Sequence, residues 1–190
     1  MSDKFVEHLK KIKLMTKSQS VVVDLNNLHD NNEVLNNVAK MLDNGILFVQ
    51  LVPDKNSDVR TLDVSNKILQ LSALYNFTFI IKQRADIAFI LEADGILLDE
   101  NSMDIHSAKE ILGKNTIIGF SSNNSEIIEK AIKNGADYIN IELINSTPTS
   151  SIVKSVGLEY AKWVSENLCA HIYICDKTNQ TTYQTYSKCE

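Results

Sequence analysis

Residues 78–98 read TFIIKQRADIAFILEADGILL, and this stretch decides the fold. Thr78–Ile81 is a continuous apolar run rich in β-branched residues, the pattern of a strand buried on both faces. Ala85–Leu91 follows with apolar residues at helical spacing, and Gly95–Leu98 is a second apolar run. A helix between two strands in so short a span makes the strands parallel. The crossover must return the chain to the end of the sheet from which it left.

The same unit repeats outward in both directions. Further strands are predicted at Val21–Leu25, Leu47–Leu51, Thr116–Phe120, Tyr138–Ile141 and His171–Cys175, making seven in all. Amphipathic helices are predicted at Asn32–Leu42, Val59–Leu74, Ile105–Leu112, Ser125–Lys133 and Ile152–Asn167. Asp104 and Asn124 stand where a short polar side chain caps a helix. Asn44-Gly45 and Asn134-Gly135 stand where a glycine ends one. Glu92-Ala93-Asp94-Gly95 and Asn134-Gly135-Ala136-Asp137 are near-repeats of one helix-to-strand connector.

Such a sheet closes as a barrel or stays open and doubly wound. No GxGxxG or Walker A loop follows the first strand, so the nucleotide-binding open sheets lose their signature. A closed barrel of this kind has about eight strands. After Cys175 the sequence turns polar: either Thr181–Ser187 supplies a poor eighth strand or the barrel is open at that seam. The lack of apolar alternation there favours a tail. The expected fold is therefore a TIM-type (β/α)8 barrel, incomplete at its C-terminal unit. Residues 1–175 form one domain with an N-terminal helix, and 176–190 a polar tail.

Composition narrows the function. The chain of 190 residues carries a net charge of -5, the wrong sign for a nucleic-acid partner. Arg60 and Arg84 are its only arginines, so bidentate phosphate clamps are scarce. No apolar run approaches the roughly 20 residues that span a bilayer. Met1–Met15, with Phe5, Val6, Leu9 and Ile12 on one side, reads as a helix packed on the domain, not as a signal peptide or membrane anchor. Cys169, Cys175 and Cys189 lack metal or redox spacing and fit free thiols in a reducing, cytoplasmic setting. His8, His29, His106 and His171 are too dispersed for a metal site.

Three stretches between Gly45 and Gly157 carry a resemblance. FVQLVPD at 48–54 stands in place of VQLRxK. IIKQRADIA at 80–88 with ADGILL at 93–98 parallels IxNDRxDxA and GADGxHLG. IGFS at 118–121, GADYI at 135–139 and STPTS at 146–150 parallel IGxS, GADY and PTPTK. In order and spacing these resemble the thiamine phosphate synthase and thiazole tautomerase family of (β/α)8 barrels. In its active synthases a pyrimidine diphosphate loses pyrophosphate, and a thiazole phosphate nitrogen captures the carbocation. That chemistry needs cations against the diphosphate and oxygen ligands for magnesium.

Carried over residue by residue, the resemblance implies ligand-binding roles for Gln50, Gln83, Ser102, Ser121, Thr147 and Thr149, and it offers Lys55 and Lys82 as candidate catalytic residues. The charges have changed. The family's strand-2 arginine falls on Val52 and its lysine on Asp54, with Lys55 one place away. Its metal-binding asparagine–aspartate pair falls on Lys82-Gln83, and a further aspartate on Ser102. The lysine after the two threonines falls on Ser150, and the tautomerase histidine on Asn123. Asp99-Glu100 reads as a solvated acidic loop, and Ser121-Ser122 as a hydrogen-bonding or capping pair. Lys82, at a strand end, has the placement of a Schiff-base lysine, although a lysine that compensates nearby acids is the commoner case.

Three functions follow as expectations. The first is a divergent member without the magnesium–diphosphate set, binding at most a small phosphorylated or aromatic ligand. The second is an active synthase, with magnesium as cofactor. The third is a non-enzymatic interaction protein using an open barrel edge, which makes a homodimer possible.

Overall fold

The computed structural model describes residues 19–143, 151–168, 172–176 and 185–186. Its strands are β1 (Ser20–Asp24), β2 (Phe48–Val52), β3 (Thr78–Lys82), β4 (Gly95–Asp99), β5 (Ile117–Ser121), β6 (Tyr138–Leu143), β7 (Ile172–Asp176) and β8 (Thr185–Tyr186). Its helices are α1 (Asn31–Asp43), α2 (Asp58–Gln70), α3 (Ala85–Ile90), α4 (Ile105–Leu112), α5 (Ser125–Lys133) and α6 (Ser151–Leu168). β1 to β7 pair in parallel in chain order, so every neighbour in the sheet is a neighbour in sequence. This is the expected run of TIM-type units curled around one axis.

Two differences from the sequence reading matter. β6 does not stop at Ile141 but runs on through Glu142, which puts a carboxylate at a strand end. Thr185–Tyr186, expected to belong to a tail without strand, pairs antiparallel with Tyr173 and Ile172. Threonine and tyrosine suit a pleated surface, and an antiparallel partner needs no helical crossover. β8 is thus not the parallel eighth strand of a closed barrel. Among the described residues no ladder joins the two ends of the sheet. The expected N-terminal helix of Met1–Met15 lies outside the described residues.

Both faces of the sheet are apolar, which is why its strands read as unbroken hydrophobic runs. Outward-facing Val49, Leu51, Phe79 and Ile81 pack with Val34 and Val38 of α1 and Val64 and Ile68 of α2. Ile96, Leu98, Ile118 and Ile139 pack with Ile105, Ala108, Ile128 and Val164 of the later helices. The alternate, inward positions form a separate core of Phe48, Ile80, Leu97, Ile117, Tyr138 and Tyr173. Three of its rings meet around the axis, with centroids 5.0 Å apart for Phe48–Tyr173, 5.2 Å for Tyr138–Tyr173 and 5.7 Å for Phe48–Tyr138. Gly119 makes room for them, since a β-carbon there would overlap the Tyr138 ring.

The Tyr138 and Tyr173 hydroxyls have no hydrogen-bond partner among the described residues. Burial pushes the pKa of both well above the ordinary phenol value. They belong to the packed floor of the barrel. Further along each strand, the inward positions turn polar: Gln50, Lys82, Asp99, Ser121, Asn140 and Glu142. That change of character marks the C-terminal mouth.

Three of the helix-to-strand joints are built alike. At Gly45, Glu92 and Gly135 the chain takes a positive φ, and the following residue donates back to a carbonyl five residues earlier. Those bonds are Ile46 to Met41, Ala93 to Ala88 and Ala136 to Ala131, the pattern that closes a helix with a left-handed residue. In the two echoing connectors the aspartate has the same task. Asp94 accepts from the Phe79 amide and Asp137 from the Ile118 amide, each at 2.8 Å. Asp104 and Asn124 cap α4 and α5 as expected, and Asp30 and Ser57 do the same for α1 and α2.

Candidate ligand site at the barrel mouth

A cavity of about 320 Å3 opens at the C-terminal ends of β3 to β6. Period-two alternation and the parallel register bring its side chains together, for Asp99 pairs with Ser121 and Ser121 with Asn140 across adjacent strands. Lys82, Asp99, Glu100, Ser121, Ser122 and Glu142 line it, with Asn101 and Asn123 at the rim. Lys82 is the only cation among these lining residues, against three carboxylates.

Most of these groups are engaged with one another. Lys82 Nζ lies 3.1 Å from Glu142 Oε1, both side chains about one-fifth exposed. Ser102 Oγ donates to Asp99 Oδ1 at 2.7 Å, and Gln83 Nε2 donates to Asp99 Oδ2. Ser122 Oγ donates to Glu100 Oε1 at 2.7 Å. Asn123 clamps the end of β6, donating to the Glu142 carbonyl at 2.8 Å and accepting from its amide at 3.1 Å. Beneath them Asn140 Nδ2 donates to Ser121 Oγ at 3.1 Å. The Asn140 carbonyl oxygen, on a residue only 3% exposed, has no partner among the described residues. Gln83 has φ 63° and sits in a three-residue turn closed by Arg84 N–H to the Lys82 carbonyl. Such backbone costs about 1–3 kcal/mol and persists where its surroundings hold it.

The sequence candidates divide. Lys82 and Ser121 line the cavity, and Gln83 and Ser102 reach it through Asp99. Gln50 faces inward on β2, 3% exposed, with Nε2 3.5 Å from Ser20 Oγ, and is not among the lining residues. Lys55 is exposed outside the cavity, its backbone amide donating to Asn26 Oδ1 at 3.0 Å. Thr147 and Thr149 lie outside the described residues. Glu142 and Asn140 were not singled out by sequence reasoning. The available signal was a charged residue two places beyond an inward-facing asparagine, visible once β6 is extended past Ile141.

Asp54, where the resemblance puts a lysine, is turned to another partner. Asp54 Oδ2 pairs with Arg60 Nη1 at 2.8 Å, and that guanidinium holds the Asp54 carboxyl below the usual aspartate range. Arg60 also donates to the Leu25 and Leu28 carbonyls and to Asn31 Oδ1, locking the loop after β1. At the positions that the resemblance gives to metal ligands, Lys82 carries an ammonium, and Gln83 and Ser102 donate to Asp99. Among the described residues no three His, Cys, Asp or Glu side chains are grouped to hold a metal ion. Lys82, Gln83 and Ser102 thus offer magnesium no carboxylate of their own.

Comparison with known proteins agrees with the architecture. Residues 20–180 match the family model described as thiamine monophosphate synthase. The chain is 34% identical over 134 residues to a thiamine-phosphate synthase of Nostoc punctiforme, covering 70% of this chain and 38% of that protein. It is 30% identical over 149 residues to one of Methanobrevibacter smithii, covering 78% of this chain and 71% of that one. It thus spans less than half of the Nostoc relative. A solved structure, thiamine phosphate pyrophosphorylase from Pyrococcus furiosus, superposes with a TM-score of 0.70 at 27% identity, over 87% of this chain and 78% of that one. No described helix is long and apolar enough to cross a membrane. On its strand order, its connectors and these matches, the chain belongs to the thiamine monophosphate synthase family.

Proposed function

We propose that this member of the thiamine-biosynthetic family binds a small ligand at the barrel mouth without carrying out the magnesium-dependent displacement of diphosphate. The observation that carries this reading is the Lys82–Glu142 ion pair in a cavity whose other charged groups are Asp99 and Glu100. A departing pyrophosphate needs cations preorganised where its charge develops. Here the one ammonium already has a carboxylate 3.1 Å away. Hydrogen-bonding capacity persists in the Ser121 hydroxyl, which accepts from Asn140 and keeps its own proton to donate, and in the Asn140 carbonyl oxygen.

The test is incubation of the protein with the pyrimidine diphosphate, thiazole phosphate and magnesium, at enzyme concentrations that would reveal even slow turnover. No thiamine phosphate is expected. Product whose formation is lost in Lys82→Met would sink the reading. It would support the second one, an active synthase, which the names of the relatives at 30–34% identity favour.

A further inference from the structure

Glu142 stands at the end of β6 and Lys82 at the end of β3. β4 and β5 lie between these strands in the sheet. Their ion pair therefore reaches across the ends of two intervening strands, over Asp99 and Ser121, instead of joining neighbours. Asn123 fixes the backbone of Glu142 on both sides, through its amide and its carbonyl. The carboxylate is thus held in place against the ammonium by hydrogen bonds that do not involve the pair itself. An anion arriving from solvent must displace a counter-ion tethered at high effective concentration. It must also approach Asp99 and Glu100, which line the same cavity.

We propose that Glu142 is the residue that sets the charge of the ligand this mouth accepts. It serves as a built-in anion for Lys82. The cavity consequently rejects phosphate and diphosphate groups and takes neutral or cationic ligands that bring N–H or O–H donors. The acceptors for such donors are the carboxylates of Asp99 and Glu100 and, deeper down, the Asn140 carbonyl oxygen. The inference rests on the reading of the mouth as a ligand site without diphosphate chemistry, and it names the ligand class for that site.

The experiment titrates inorganic pyrophosphate into the full chain at low ionic strength, by calorimetry and by thermal shift. Glu142→Gln keeps the shape of the side chain, and Glu142→Ser removes the carboxylate with a smaller one. Either variant should bind pyrophosphate at least about tenfold more tightly than the unmodified protein, because a nearby like charge is gone and Lys82 is released. Adding Lys82→Met to either variant should abolish the gain. Folded Glu142 variants with no gain, a gain that survives Lys82→Met, or an unmodified protein that already binds pyrophosphate equally well would each overturn the proposal. The synthase assay is a separate readout. Turnover by the unmodified protein would refute the functional reading and, because it needs a diphosphate seated at the mouth, the exclusion of diphosphate with it. No turnover together with no gain in Glu142→Gln would overturn the charge-setting role alone.

Discussion

Glu92 closes α3 at φ 48°, in the conformation that Gly45 and Gly135 provide at the matching joints. A β-carbon in that region costs roughly 1–2 kcal/mol, partly offset by the extra freedom glycine has when unfolded. Glu92 is exposed, so Glu92→Gly should stabilise the protein by about 0.5–1 kcal/mol, read as a higher urea midpoint at unchanged slope. Gly119 is the opposite case. Its missing β-carbon is space that the Tyr138 ring fills, and Gly119→Ala should destabilise by about 1–3 kcal/mol through overpacking. A midpoint equal to that of the unmodified protein would mean that the three-ring floor can shift, contrary to the close centroid spacings.

At the scale of elements, the repeated connector makes a prediction of its own. Asp94 and Asp137 each accept the amide of the second residue in the preceding strand, Phe79 and Ile118. Replacing either with alanine leaves a strand amide without its charged acceptor, a loss of about 1.5–3 kcal/mol. The loss should appear as faster hydrogen exchange at Phe79 in Asp94→Ala and at Ile118 in Asp137→Ala, each at its own strand. These connectors were legible in the sequence because short-range chemistry writes them: a left-handed residue, an alanine, an aspartate. The buried parallel strands were legible as apolar runs for the same reason. The mouth was not. Lys82 and Glu142 are 60 residues apart on strands that do not pair, so no local pattern joins them. Nor did the charge reversal at Asp54 reveal itself as loop chemistry. Only the fold shows that Arg60, six residues on, takes that carboxylate away from the mouth.

For the whole molecule, surface carboxylates set the response to acid. Arg84 bridges α2 and α3, with Nη1 2.6 Å from Asp58 Oδ1 and Nη2 2.7 Å from Asp86 Oδ2. The guanidinium holds both carboxyls below the usual aspartate range, and Arg60 does the same for Asp54. The Ser107 backbone amide, followed by its hydroxyl, lowers Asp104. A carboxyl whose folded pKa is depressed binds fewer protons folded than unfolded. Its contribution is complete above the unfolded value of 3.8 and is lost as pH falls through the lower, folded value. These groups therefore predict a urea midpoint that holds steady from neutral pH down to about 5 and falls below about 4. Arg84→Met isolates the bridge. Its deficit relative to the unmodified protein should be present at pH 7, small because both partners are substantially exposed, and should vanish once Asp58 and Asp86 are protonated in both proteins. A deficit that persisted unchanged in acid would assign the role of Arg84 to the packing of its stem between the two helices, with its charge contributing nothing.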